Sequence, residues 1–372
     1  MPGREVFGEE EINQVTEVLK RAVLFRYGFE QQRQGIFTVS QFEKNFATYI
    51  GSQYALGVNS GTAALKTALE GLNLSKKTKI LTPCFTFVAT IESIEEAGFT
   101  PVLCEIDENL NISADDIENQ IDKETSAILP VHMMGSGCNM AAIMDISKKF
   151  HLPVIEDACQ ATGASYKGKK LGTFGQYGCF SFDYVKVLTT GEGGMVVTDE
   201  EKFYKQADWY HDHGHPHRSD VARGIEERMR KGTNFRMNEI QGALGLAQLK
   251  KLPSIIQRHK TNKAIIKQIL SRYDFISFRK HYDEDGEIAT FLAFFLPDAK
   301  MAEKFKEKMQ ENGIAPSVLN YWHFFANLQS VNTKRGFEKS KQLLEKMVAI
   351  DILIKMDAEK IADGFDRICK NF

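Results

Sequence analysis

Four short segments hold residue types that could do chemistry. Asn59-Ser60-Gly61-Thr62-Ala63-Ala64 follows an apolar run and opens an Ala- and Leu-rich stretch. The first N–H groups of a helix lack intrahelical partners, and with the helix dipole they attract anions; a glycine lets a phosphate approach the backbone. Taken alone, the segment is more often an ordinary helix cap, because Ser and Thr start helices of every kind. Glu156-Asp157-Ala158-Cys159-Gln160 closes the apolar run 153–155. Ligand sites of parallel sheets lie at strand carboxyl ends, so a carboxylate there can hold a protonated ring nitrogen. Capping of a following helix is the alternative. Lys186 stands between two apolar runs, with Ser181 upstream and Gly191-Glu192-Gly193-Gly194 downstream. A lone Lys is usually a solvated charge, whereas a desolvated one loses its proton more readily and can act as an amine nucleophile. Asn234-Phe235-Arg236-Met237 precedes a helix and fits an ordinary entry loop.

The elements that must position these residues follow from hydrophobic periodicity. Residues 9–22 put Ile12, Val15, Val18, Leu19 and Ala22 on one helical face, and residues 40–50 form a second helix with Ser40 as N-cap. Short apolar runs at 54–58, 79–81, 100–105, 127–131 and 153–156 then alternate with helical stretches at 61–72, 87–96 and 141–150. That alternation predicts a mostly parallel central sheet in an α/β fold. After Ser165 closely spaced glycines predict antiparallel or mixed strands joined by tight turns. A helix over 239–252 meets Pro253, where the domain boundary is placed. Residues 1–252 form a large domain with an N-terminal helical segment. Residues 253–372 form a small α+β domain with helices near 260–273, 302–312 and 339–348.

The bulk composition narrows the class. The chain has 372 residues, 43% hydrophobic and 26% charged, which fits a globular protein too long for one small core. Lys plus Arg is 47 and Asp plus Glu is 49, so the net charge is −2 and no global field draws nucleic acid or an anionic membrane. No apolar run resembles a signal peptide or a membrane span. The six cysteines form no CxxC pair, and several sit in apolar runs. They read as free thiols in a reducing cytoplasm.

Taken together and in order, these segments resemble the DegT-type (DegT/DnrJ/StrS) sugar aminotransferases, a branch of the fold-type I, aspartate-aminotransferase-like enzymes that use pyridoxal 5′-phosphate (PLP). The resemblance rests on Asn-Ser-Gly-Thr-Ala-Ala, Pro-Cys-Phe-Thr-Phe-Val-Ala-Thr, Glu-Asp-Ala-Cys-Gln-Ala, Cys-Phe-Ser-Phe with Lys and Thr-Thr-Gly-Glu-Gly-Gly beyond it, and Asn-Phe-Arg-Met-Asn-Glu-Ile-Gln-Gly-Ala. It runs from the first helix to the helix at 239–249 and fades in the last third.

The resemblance implies roles. Lys186 would carry the cofactor as a Schiff base and move the proton. Asp157 would hold the pyridine nitrogen, Gln160 the ring hydroxyl, and Phe87 a ring face. Gly61, Thr62 and Ser181 would bind the phosphate, completed by Asn234 of a neighbouring subunit in a homodimer with shared active sites. His323, Tyr184 and His213 are candidate substrate residues, and the loop Phe25-Arg26-Tyr27 a candidate acceptor wall. The donor would be L-glutamate and the acceptor a keto or aldehyde sugar, for cell-surface polysaccharide, lipopolysaccharide or a secondary metabolite.

Family branches with His at the lysine position dehydrate sugars, so Lys186 implies transamination. Asp183, Tyr184 and Val187 depart from the family's usual His-Pro and Lys-Asn neighbours and leave the sugar unassigned. The loop His211-Asp212-His213-Gly214-His215-Pro216-His217 resembles members acting on non-nucleotide acceptors, such as an 8-oxo-3-deoxy-octulosonate or a cyclitol ketone. The alternative is a nucleotide-linked keto-6-deoxy sugar. The loop's alternating His residues have zinc-like spacing, but no Cys or paired ligands accompany them, so no metal is expected. A PLP-binding regulatory protein without turnover is the rival class. The joint presence of Lys186, Asp157 and Gln160 argues against it.

Overall fold

The computed structural model describes residues 3–75, 78–218, 220–221, 223–319, 321–331 and 335–372. Two helices lead, α1 (Glu9–Arg21) and α2 (Thr38–Ile50). An alternating series follows: β1 (Tyr54–Val58), α3 (Gly61–Gly71), β2 (Lys79–Pro83), α4 (Ala89–Glu96), β3 (Thr100–Cys104), α5 (Ala114–Gln120), β4 (Thr125–Ile128), α6 (Met140–Phe150) and β5 (Ile155–Asp157). A small hairpin, β6 (Ser165–Tyr166) and β7 (Lys169–Lys170), precedes β8 (Tyr177–Ser181), β9 (Gly194–Thr198) and α7 (Glu201–His211). The chain ends with α8 (Glu239–Leu270), β10 (Ser277–Phe278), β11 (Phe291–Phe295), α9 (Ala299–Glu311), α10 (Ala326–Ser330), α11 (Glu338–Lys346), β12 (Met347–Asp351) and α12 (Ala358–Lys370).

The central strands run β1-β9-β8-β5, and single parallel bridges (Ile128 to Val154, Val131 to Asp157) carry the sheet on to β4-β2-β3. Only β9 runs against its neighbours, so the sheet is mostly parallel, as the alternating pattern predicts. Successive strand residues fall into two different apolar clusters. Ile80, Ala127, Ile155 and Cys179 join one; Leu81, Ile128, Val154 and Phe180 join the other. Side chains alternate across a strand, so both faces of this sheet are buried under helices. The open edge is where strands end. The carboxyl ends of β1, β2, β5 and β8 share that edge, and Ser60–Gly61, Thr86–Phe87, Asp157 and Ser181 stand on it. A second sheet, β10-β11-β12, is antiparallel and packs with α9 and α12 around Phe294, Phe305 and Phe365.

Four local expectations are corrected. Pro253 does not end its helix; α8 runs 32 residues through it, and no separate helix begins near 260. An interior proline costs about 3 kcal/mol. Here α8 is held on both sides of it. Gly242 and Gly245 lie against Val39 and Phe42 of α2, and Ile266 and Leu270 join the cluster of Phe365 and Ile368. Helix α2 starts at Thr38, not at Ser40, because the buried Glu239 carboxylate accepts from Thr38 N–H at 2.6 Å and replaces a side-chain cap. Helix α1 does not bury the whole expected face. Glu11 and Val18 point inward, while Ile12 and Leu19 are 57% and 54% exposed. The Glu11 carboxylate, bonded to Lys251 Nζ at 2.8 Å and Gln248 Nε2 at 2.8 Å, sets the rotation of that helix. Finally, the helix expected over 339–348 stops at Lys346, and Val348 is a buried strand residue opposite Phe294.

Candidate active site

The strand ends and the second sheet enclose a cleft of about 600 Å³. Gly61, Thr62, Phe87, Asp157, Gln160, Ser181, Lys186 and His323 all line it, drawn from positions 262 residues apart along the chain (323 − 61).

At one end α3 starts. Ser60 Oγ accepts from Ala63 N–H at 3.0 Å, so the capping reading of this segment holds. The same helix N-terminus opens on the cleft beside Ser181, where an anion would meet its free N–H groups. A Cβ on Gly61 would stand 2.7 Å from Ser181 Cβ and 3.2 Å from Cys159 Sγ, so only glycine keeps that cradle open.

Deeper in, Asp157 ends β5 and is 4% exposed. Its Oδ1 accepts from Cys159 N–H at 3.0 Å and its Oδ2 from Thr90 Oγ1 at 3.0 Å. Both donors are neutral, so a buried carboxylate faces the cleft ready for a cationic N–H. Beside it, Gln160 Oε1 accepts from Met134 N–H at 2.9 Å, which leaves the amide N–H₂ as donor toward a ligand oxygen. Phe87 presents an exposed ring over the cleft, 5.4 Å from the imidazole of His323. Burial, and then the Lys186 charge, pushes the His323 imidazole down to about 4, so it is neutral at physiological pH.

Lys186 is half-buried in the turn between β8 and β9. Its N–H bonds Asp183 O at 3.0 Å and its carbonyl accepts from Gly3 N–H at 3.1 Å, so the N-terminal segment pins the lysine's backbone. Among the described residues lining the cleft, Lys186 is the one Lys or Arg, against Asp157, Asp183, Glu192 and Asp351. Burial and the neighbouring Asp183 push the Glu192 carboxyl up from its usual range.

Three expected residues stand elsewhere in this chain. Tyr184 is exposed and packs on Arg4 rather than lining the cleft. Asn234 pairs by backbone with Asp212, and His213 is an exposed turn residue bonded to Thr233 O; neither lines the cleft of its own chain. The Phe25-Arg26-Tyr27 loop does not line the cleft of its own chain either. Arg26 pairs with Glu43 at 2.6 Å, and Tyr27 stacks on His217 at 4.0 Å. Three of the four imidazoles of the His loop are taken by protein groups: His211 by Tyr27, His215 by Glu226, and His217 by Asp208 and Asp212. Sequence reading assigned no role to Thr86, Thr90 or Asp351. Thr86, in the loop between β2 and α4, and Thr90, in the first turn of α4, stand four apart, and that spacing was the available signal.

The cradle, the carboxylate, the amide, the aromatic face and the amine fit one kind of molecule. It is a flat heteroaromatic ring with a phosphate arm, a phenolic oxygen, a protonated ring nitrogen and a carbonyl for the lysine. PLP has all of these, and this cleft at the strand ends of a buried, mostly parallel sheet is that of a fold-type I PLP-dependent enzyme. The chain belongs to the DegT/DnrJ/EryC1/StrS aminotransferase family, whose model matches residues 6–369. It is a PLP-dependent transaminase. It is 33% identical to an uncharacterized protein of Methanocaldococcus jannaschii, over 99% of this chain and 96% of that one. It is 38% identical to the GDP-perosamine synthase of Escherichia coli O157:H7, over 62% of each chain. In structure it matches Helicobacter pylori PseC, an aminotransferase involved in the biosynthesis of pseudoaminic acid, at a TM-score of 0.87 and 25% identity over 98% of both chains.

Proposed function

We propose that the chain moves an amino group from L-glutamate to the keto or aldehyde carbon of a sugar, in amino-sugar biosynthesis. The observation that carries this reading is the convergence of Lys186, Asp157, Gln160 and the Gly61–Ser181 cradle on one cleft. Bound PLP supplies an electron sink for the carbon that loses its proton. The chain's residues do the rest. Gly61, Thr62 and Ser181 hold the phosphate, Asp157 keeps the ring nitrogen charged, Gln160 orients the ring oxygen, and Phe87 covers one face. Lys186, once its amine is free, takes a proton from one carbon and returns it to another on the same face, as a positioned general acid–base does.

Two acceptor classes are supported by different observations. The names of relatives such as GDP-perosamine synthase favour a nucleotide-linked keto-6-deoxy sugar. The acidic cleft, with Lys186 as its one described cation, favours an uncharged acceptor without a diphosphate, such as a cyclitol ketone. The active unit is a homodimer in which Asn234 reaches the partner's phosphate site. The outward-facing Ile12 and Leu19 supply apolar surface for a second copy to cover.

The test is direct. L-Glutamate mixed with the yellow holoprotein bleaches the visible band, near roughly 410 nm from the cofactor's own chemistry. Keto sugars, aldehydo-octulosonates and inososes are then assayed as a panel. A band unmoved by every amino acid tried would falsify the transaminase reading of this site.

A further inference from the structure

Asp157 is held from behind by two hydroxyl groups in series. Thr90 Oγ1 donates to Asp157 Oδ2 at 3.0 Å and lies 2.7 Å from Thr86 Oγ1. The three residues are almost fully buried at the floor of the cleft, at 0% exposure for Thr86, 1% for Thr90 and 4% for Asp157. Thr86 is itself fixed by its backbone: its N–H bonds His323 O at 2.9 Å, and its carbonyl accepts from Asn327 Nδ2 at 2.7 Å.

We infer that Thr90, backed by Thr86, is a positioning residue that orients the Asp157 carboxylate and keeps it in its charged form against the cofactor's ring nitrogen. A hydroxyl has one proton to give. Thr90 gives its own to Asp157, so the bond between the two threonines must run from Thr86 to Thr90. That polarity leaves Asp157 facing donors on both oxygens, Thr90 Oγ1 and Cys159 N–H. The Cys159 N–H can only donate, and a Thr90 hydroxyl that donates as well gives Asp157 a second donor, so the arrangement favours the anion. The same loop carries Phe87 on the residue after Thr86, so the grip on the ring nitrogen and the cover over the ring face share one backbone segment.

The inference rests on Asp157 meeting the ring nitrogen, and its test needs neither amino donor nor acceptor. Apo protein is titrated with PLP, and the visible band of the holoprotein is followed against pH. In Thr90→Val the cofactor binds on the order of tenfold more weakly, the scale of one hydrogen bond to a charged group. The midpoint of the band's pH titration rises by about half a unit, because a less firmly held ring charge lets the lysine-bound nitrogen keep its proton longer. Thr90→Ser restores both. Thr86→Val, one bond further away, moves both in the same direction by less, and it carries the test if Thr90→Val fails to fold by circular dichroism. Asp157→Asn sets the full scale. If Asp157→Asn changes binding and titration while the threonine variants match the parent, the hydroxyl chain is structural only and the inference is overturned. If Asp157→Asn changes neither, the cofactor assignment of Asp157 itself fails.

Discussion

Glu156 and Asp157 are adjacent on β5, and their carboxylates do opposite work. Glu156 points into the protein, is fully buried, and accepts from the backbone N–H groups of Gly172, Phe174 and Gly175 and lies 3.1 Å from His132 Nε2. Asp157 points into the cleft with two neutral donors and space for a cation. The alternation of side chains along a strand separates an acid spent on the protein's own backbone from one left facing the cleft.

Glu156→Gln therefore loses stability and Asp157→Asn loses cofactor. Removing the negative charge from a buried acceptor of three N–H groups costs about 2–3 kcal/mol, read as a lower denaturant midpoint. Asp157→Asn keeps a midpoint near the parent's and binds PLP weakly. The reverse pattern would exchange the two roles.

Gly61→Ala closes the anion cradle. The added Cβ meets Ser181 Cβ at 2.7 Å, so backbone and Ser181 must part. PLP affinity falls roughly tenfold or more, since helix N–H groups act only at short range. Pyridoxal without the phosphate serves as control: its weaker binding changes little between parent and variant. An equal loss for both ligands would mean general damage to the site.

Asn234 is tested by mixing chains. Asn234→Ala alone retains PLP poorly yet folds, and Lys186→Ala alone is inactive. In mixed dimers one site has an intact Lys186 from one chain and an intact Asn234 from the other. Activity toward L-glutamate at limiting PLP then exceeds the sum of the separate variants. A mixture that only adds up would remove Asn234 from the partner's site.

His217 makes stability fall in alkali. Burial opposes its protonation, but hydrogen bonds with Asp208 and Asp212 outweigh burial and raise it to about 9 from 6.5. A group raised on folding contributes fully below its unfolded value and loses that contribution as pH climbs through its folded one. The urea midpoint of the parent therefore drops between about pH 6.5 and pH 9.5. His217→Gln starts lower and shows a smaller drop; parallel curves for both proteins would assign the proton elsewhere.

Much of this site was legible before folding because its signals are local. A glycine after a strand, an aspartate at a strand end and a lysine in a Gly-rich turn each sit within a few residues of the backbone feature that uses them. Alternating periodicity likewise announced the buried sheet, since burial of both faces is written in the apolar runs themselves. The departures have long-range causes. Periodicity marked the apolar face of α1, but Lys251, 240 residues from Glu11, decided which face docks. Pro253 reads as a stop by local sterics, and only packing on both sides carries α8 through it. Thr90 is an unremarked threonine until β2 and β5 share a sheet and set it against Asp157, 67 residues away. Residue type and spacing determined which chemistry this chain could hold. The tertiary structure decided which side chains hold those residues in place, because a hydrogen-bond partner is chosen by distance in space, which a one-dimensional pattern does not contain.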